Sequence, residues 1–486
     1  AGAQVTFIAG ANAFRAANVG QFISVYGGVA RIDFVDSATQ IRGELLGDMT
    51  GTDDANPAAA PAGAWSLETE SWSTINGFPR TGELFQGRLG QASTHAQKTT
   101  WWLSDPDDFD SYVLGISADN AIEYTMATRA HNAIMWLADN INLFVGTKGS
   151  EHEVSSGKDN EPIGGDRVPL VERVDTQGSA AIQPIVIGRR LLFVDRSRRL
   201  IISLAFNWEA DGFDPLDVTG AADHITEGGV KLGPAGVQRR LYPIAYWVRE
   251  DGQLIVLTYH AAEKVIGFSR FVTDGFFESV AVIPQPMGGD QLWAVVRRTI
   301  NGVLKRYIEV FDEDALELEG RAWTSLQTDC AKVYDLGGTP TTVLTGLGHL
   351  EGKSVDVVAD GDYIGQYTVS SGQITLLEPA SEHVEVGLHY SSPGATMRPA
   401  VEGSMVEGTL RSWNEIWLRV RNSLGGKVND VEIQYPPQLA PTVLKTGDVF
   451  VNPPGGGDTD GRIRFEQHLP YPMTILALFG EVTFGK

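Results

Sequence analysis

The chain has 486 residues, 61 acidic and 38 basic, for a formal charge of -23; such a balance repels a polyanion, so phosphate neutralisation is excluded except in a local basic groove. A single cysteine, Cys330, leaves no internal disulfide framework, fits folding in a reducing cytosol and reads as a structural thiol. No apolar run approaches the roughly 18 residues of a membrane span, and a start with no basic residue before Arg15 does not read as a secretory signal.

This length accommodates about three domains, or two if one is a large all-β unit. Residues 1–64 read as a small β-rich peripheral module closed by the linker TGTDDANPAAAPAGA, whose Ala, Pro and Asp content cannot bury a core. The first residue is not methionine and strand-like alternation starts at once, the expectation for a processed or truncated product.

From residue 65 to 335 the chain is a procession of hairpins between turn signals, alternating in steps of two as half-buried strands do. In QLWAVVRRTINGVLKRYIEVF, Leu292, Ala294 and Val296 point one way and Asn301-Gly302 supplies the positive φ of a type I′ turn. Asp251-Gly252 repeats the device, and PIVIGRRLLFVDRSRRLIISLAF and AIMWLADNINLFVGTKGSEHEVSS supply further strand pairs. Grouped at roughly 40 to 50 residues per blade, these hairpins predict an all-β fold, a divergent β-propeller with inserted small β modules. A pair of β-sandwiches uses the same signals.

Residues 336–395 read as an inserted small β module, with hairpins at Asp360-Gly361 and Ser371-Gly372. The remainder, 396–486, is a C-terminal β region in which Ile416, Leu418 and Val420 alternate with Trp417, Arg419 and Arg421.

The stretch GFPRTGELFQGRLGQASTHAQKTTWWLSDPDDFDSY holds the densest chemistry: Arg80, His95, the pair Trp101 and Trp102, and Asp105, Asp107, Asp108 and Asp110. A calcium loop needs ligands at alternate positions, a turn glycine and a distal glutamate. Here a proline interrupts the carboxylates and neither glycine nor glutamate falls in place, so a polar turn is the expectation. Trp101, Trp102, Trp136, Trp247 and Trp293 sit among β-branched neighbours and read as core. The nine histidines are scattered, and His383 and His389 straddle a strand as a solvated face does. The clusters Arg189, Arg190, Arg196, Arg198, Arg199 and Arg297, Arg298, Lys305, Arg306 read as solvated strand ends or inter-subunit ion pairs, with a ring facing a polyanion as the sharper alternative. With no nucleophile elbow, Walker loop, His-Glu-x-x-His or Cys-x-x-Cys, no residue is assigned as catalytic, cofactor-binding or metal-ligating.

The order Trp72, Gly77, Phe78, Pro79, Arg80, Phe85, Arg88 and Leu89, then TTWWLSDPDDFDSY, resembles the tail nozzle, or tail tubular protein B, family of short-tailed bacteriophages. The resemblance continues through NAIEYTMATRAHNAIMWLADNINLFVGTKGSEHEV, VRRTINGVLKRYIEVF, LEGKSVDVVADGDYIGQYTVSSGQITL and KTGDVF to RIRFEQHLPYPMTILAL, and so covers most of residues 65–486. It implies a structural virion protein and not an enzyme: a propeller with inserted β modules, assembled as a homohexameric ring around the channel for DNA retention and ejection. Implied partners are further copies of itself, a tubular A-type adaptor ring above, tail fibres or spikes, and genomic DNA passing without sequence-specific contact. No cofactor is implied, and the location is the virion tail, assembled in the host bacterial cytoplasm. Family members carry additional sequence before the part matching residue 1. A carbohydrate-binding or carbohydrate-cleaving propeller, with the pair Trp101 and Trp102 and the cluster Asp105, Asp107, Asp108 and Asp110 meeting at a blade-end pocket, is the alternative from a different class.

Overall fold

The computed structural model describes all residues except 1, 26–27, 47–64, 69–70, 116, 128–130, 159–160, 210, 240–241, 286–288, 312–326, 401–407, 436–442, 453–456 and 486. The linker expected at residues 50–64 lies outside the described residues. Two compact units divide the chain: Ala1–Val237 with Leu241–Glu250 and Ile255–Ser269, and Arg270–Lys486 with Gln238–Arg240 and Asp251–Leu254.

The first unit opens with an antiparallel five-stranded sheet in the spatial order Gln4–Ile8, Gln40–Leu45, Gly28–Ser37, Phe22–Val25, Trp65–Glu68. Its core is Phe14, Ile23, Val25, Ala30, Ile32 and Ile41. The fifth strand comes from beyond the 50–64 segment, because the inner strand Phe22–Val25 can pair on both sides, with residues 28–31 and 65–68.

Four-stranded meanders follow. Sheet I is Thr81–Phe85, Arg88–Ala92, Thr100–Leu103, Ile122–Thr125, and sheet II is Ile134–Asp139, Leu143–Thr147, Glu151–Ser155, Leu170–Asp175. Sheet III is Ile185–Ile187, Arg190–Val194, Ile201–Asn207, Gly212–Asp217, and sheet IV is Gly236–Arg239, Pro243–Val248, Leu254–His260, Val265–Phe271. In each, sequence neighbours are spatial neighbours.

Within the first unit these sheets pack face to face. Leu137, Leu143 and Val145 of sheet II join Trp101 and Leu103 of sheet I, while Trp136, Ala138 and Phe144 from the other face of sheet II join Leu191, Phe193, Ile202 and Leu204 of sheet III. Leu192, Val194 and Ile201, facing away, join Trp247, Ile255 and Leu257. The inner strands are therefore buried on both faces, and the expectation of half-buried strands fails there. The continuous apolar runs LFV and LLFV are what two covered faces demand. Each such side chain contributes about 1.5–3 kcal/mol by leaving water.

A recurring backbone stitch joins successive sheets. The entry segment of each donates an amide to the preceding sheet's central turn, Ile134 to Lys98 O at 3.0 Å, Ser179 to Thr147 O at 2.8 Å and Val230 to Arg198 O at 2.8 Å. It accepts one from its own turn, Lys148 to Ala133 O at 3.1 Å, Arg196 to Gly178 O at 3.0 Å and Glu250 to Gly229 O at 3.0 Å. The acceptors Ala133, Gly178 and Gly229 are 45 and 51 residues apart, which defines a repeat that side-chain identity does not show. The fold is all-β and propeller-like.

The second unit contains the three-stranded sheet V, Phe276–Ile283, Gln291–Ile300, Val303–Val310. Its hairpin turns at Asn301 (φ 49°) and Gly302 (φ 73°), the type I′ geometry that the sequence predicts. A module follows with the sheet Asp329–Asp335, His383–Leu388, Ser354–Ala359, Asp362–Thr368 and the pair Thr341–Thr345, Gln373–Ala380, around Leu344, Leu347, Leu350, Val355, Val357, Val384 and Val386. Asp360-Gly361 makes its two-residue turn as expected. The Ser371-Gly372 turn closes no hairpin ladder: it holds one bridge, Ser370 to Gln373, after which Gln373–Ala380 pairs with Thr341–Thr345. The C-terminal part has the sheets Ser392–Ala395, Arg464–Gln467, Lys427–Val428, Val431–Glu432 and Lys445–Val451, Leu410–Ser423, Thr474–Gly485, with Ile416, Leu418 and Val420 fully buried as their alternation predicts. Among the described residues no helix is long and apolar enough to cross a membrane.

Candidate functional site

The stretch from Gly77 to Tyr112 builds the first two turns and three strands of sheet I. Gly77 adopts φ 83°, and a Cβ there would stand 2.8 Å from the His95 backbone nitrogen, so the turn requires glycine. Arg80 donates its amide to Ala92 O and Ser93 O, and its guanidinium reaches Met135 Sδ at 3.8 Å. His95 is exposed. The tryptophan pair splits across the sheet: Trp101 packs on Tyr124 at 5.5 Å, and Trp102 meets Trp72 edge-on at 5.6 Å, which in turn meets Tyr112 at 4.7 Å. Both rings of the pair are at most 2% exposed, so neither presents a face to a sugar.

The four aspartates form a turn and do not converge. Asp107, at φ 58°, docks the loop by donating its amide to Gly87 O at 2.8 Å. Asp105 accepts from the Ser111 hydroxyl, and Asp108 accepts from the Asp110 amide at 3.3 Å, the local bonding that aspartate brings to turns. Among the described residues no group of three or more His, Cys, Asp or Glu is placed to hold a metal ion.

Arg88 anchors the loop. Its guanidinium, 4% exposed, donates to Ser104 O at 2.7 Å, Asn120 O at 2.9 Å and Ala118 O at 2.7 Å. Burial lowers its basicity, opposed by the fields of Asp105 and Asp119. Arg88→Met leaves three carbonyls without that donor and is expected to cost about 3 kcal/mol. Urea unfolding should show the loss, and amide exchange should place it at residues 104–120; an unchanged midpoint would mean that water replaces the guanidinium at no cost.

A second ionic centre lies in the second unit. Arg298, 1% exposed on its side chain, donates to Glu309 Oε1 at 2.6 Å and Oε2 at 2.7 Å, to Thr273 Oγ1 at 2.7 Å, to Asp274 O at 3.0 Å and to Asp329 at 3.3 Å. Burial works against its charge, but the Glu309 bonds and the Asp329 field win and raise its basicity. Arg298 is thus no solvated strand end: it continues the core-facing parity of Leu292, Ala294 and Val296, a signal legible in the sequence. Arg306, Lys305, Arg189, Arg196 and Arg199 are exposed or largely so, with Arg306 on Glu278 and Arg198 on Glu250. Cys330 donates to Glu309 Oε1 at 3.6 Å, and burial pushes its thiol up to about 12, so it stays protonated and unreactive.

Three further buried carboxylates carry no signal in the local sequence. Glu151, fully buried, accepts from Ser179 Oγ at 2.7 Å and Gly178 N at 3.3 Å, and burial lifts it to about 7. Glu385 accepts from Gln327 N, Thr328 N and Thr328 Oγ1 at 2.6–2.8 Å and is likewise lifted to about 7 by burial. Asp356 accepts from Tyr363 Oη and Gln366 Nε2, both at 3.0 Å, and pairs with His389 Nδ1 at 2.7 Å. His389 is an oriented imidazole, but among the described residues no hydroxyl or thiol is hydrogen-bonded to its other nitrogen, as an activated nucleophile requires. His383 opens the strand His383–Leu388, which His389 follows.

No family model matches the chain, and no curated protein matches it. Among solved structures it is similar to a crystallised protein from Lactobacillus plantarum at 12% identity, over 75% of this chain and 99% of that one, with a TM-score of 0.29, a likeness too loose to carry a fold or a function across.

Proposed function

We propose that the chain is a structural, non-enzymatic ring component of a short bacteriophage tail, of the nozzle or hub type, lining the channel through which DNA is retained and ejected. The observation that carries this reading is the long ordered resemblance across residues 65–486, whose marker residues have packing roles: Gly77 in an obligatory turn, Phe85 and Trp101 in the core, Arg88 as the loop anchor. The formal charge of -23 supports it physically, because an acidic wall lets a polyanion slide on its water and counterions where a basic one would hold it. The partners on this reading are further copies of the chain as a homohexamer, an adaptor ring above, and fibres or spikes, with virion localisation.

Mass photometry and low-resolution electron microscopy of the purified chain, with and without its virion partners, test the proposal. Sixfold rings with a central hole are expected. Monomers that persist with partners present would sink it. The carbohydrate-cleaving alternative loses its stacking platform with the burial of Trp101 and Trp102.

A further inference from the structure

The most exposed aromatic side chain of the described residues is Trp208, 83% exposed where strands Ile201–Asn207 and Gly212–Asp217 of sheet III turn back. It is not a loose ring. Trp208 meets Phe206 edge-on at 5.0 Å and 78°, Phe206 meets Phe213 at 5.5 Å and 81°, and Phe213 meets Phe144 at 5.2 Å and 83°. Phe144 is 2% exposed and belongs to the core between sheets II and III. A ladder of four rings therefore runs from that core to the surface and fixes an indole in water. Edge-to-face pairs of this geometry stabilise beyond area burial alone. An indole face left in water gives up burial worth at least as much as a leucine's.

The surroundings discriminate among ligands. Glu209, Asp211 and Asp214 are exposed at the same hairpin, and Asn207 lies beside the ring in sequence. Three carboxylates oppose an anionic ligand such as a phosphorylated or sulfated glycan. Protein-binding hot spots sit in desolvated patches depleted of Asp and Glu, which this tip is not. Ammonium-binding cages enclose the cation among several rings, whereas Trp208 offers one open face. An uncharged sugar fits: one face of a pyranose with equatorial hydroxyls is all C–H and stacks on the indole, while its rim hydroxyls donate to carboxylates.

We propose that Trp208, held by Phe206 and Phe213, is a stacking platform for a neutral gluco-configured polysaccharide, with Glu209 and Asp211 accepting hydroxyl hydrogen bonds. This inference does not rest on the channel reading: cellohexaose binding is read on the chain itself, whether or not rings form.

Saturation-transfer difference NMR with cellohexaose, on the full chain, tests it. Strong transfer to the ring C–H protons is expected, with affinity falling about tenfold in Trp208→Ala, the equivalent of roughly 1.4 kcal/mol, and partly retained in Trp208→Phe. Because the ring is exposed, both variants should fold, with no more than the small shift in urea midpoint that loss or weakening of one edge-to-face contact with Phe206 brings. Absence of transfer, equal transfer in Trp208→Ala, or binding of a hexa-arginine peptide or heparin at Trp208 in place of cellohexaose would each overturn the proposal.

Discussion

Arg298→Met is expected to lower the stability of the second unit by about 3 kcal/mol, the cost of removing a buried cation and stranding two half-buried carboxylates. The guanidinium bonds Glu309 through both oxygens and also reaches Asp329, Thr273 and the Asp274 carbonyl, so one side chain ties the strands Gln291–Ile300, Val303–Val310 and Asp329–Asp335 together. Methionine fills much of the volume but leaves Glu309 and Asp329 facing each other with no compensating charge. Burial already raises the Asp329 carboxyl against the pull of Arg298, and the raise should grow in the variant. The double variant Arg298→Met, Glu309→Gln should recover part of the loss, because it removes one of the stranded charges. Urea unfolding followed by amide exchange checks both; additive losses in the double variant would mean that the ion pair contributes nothing as a unit.

Glu151→Gln is expected to stabilise the first unit at pH 8 by up to about 3 kcal/mol and to change little at pH 5. The carboxyl moves from 4.5 to about 7 on folding, driven first by burial and opposed by the Ser179 and Gly178 bonds. Between those two values the folded chain keeps a proton that the unfolded chain has lost, so the stability contributed by this group falls as pH rises through the window. Above pH 7 the full penalty applies, roughly 1.4 kcal/mol for each tenfold difference in proton affinity between the folded and unfolded chain. Glutamine imitates the protonated carboxyl at every pH: its oxygen still accepts from the Ser179 hydroxyl. The difference between variant and wild-type midpoints should therefore open between pH 5 and pH 8. A pH-independent difference, or a loss at pH 8, would show that the carboxylate is solvated or paired in solution. Glu385, lifted to about 7 by burial with Thr328 and Gln327 as its donors, should follow the same sign.

How much was legible follows from the range of the interactions. Asn301-Gly302 and Asp360-Gly361 read as hairpin turns because their positive φ values are a property of the residues themselves. Trp101, Trp102, Trp136 and Trp247 read as core because large apolar rings beside β-branched neighbours are buried whatever covers them. Ser371-Gly372 shows the limit: its dipeptide made the turn, but Gln373–Ala380 found its partner in Thr341–Thr345, some thirty residues upstream. The candidate-site stretch was legible as a turn, but the role of Arg88 was not, because its three carbonyl acceptors lie 16 to 32 residues away.

By itself, then, the sequence determined the all-β class, the hairpin turns and the parity of each strand, since these depend on steric preferences and a two-residue period that act within a few residues. Only the tertiary structure decided which faces are covered twice, that Glu151 is sealed between sheets and that Trp208 is left in water. Those outcomes rest on which sheet packs against which. The backbone bonds that join successive sheets at Lys98, Thr147 and Arg198 span 32 to 36 residues and use amides and carbonyls that every residue carries.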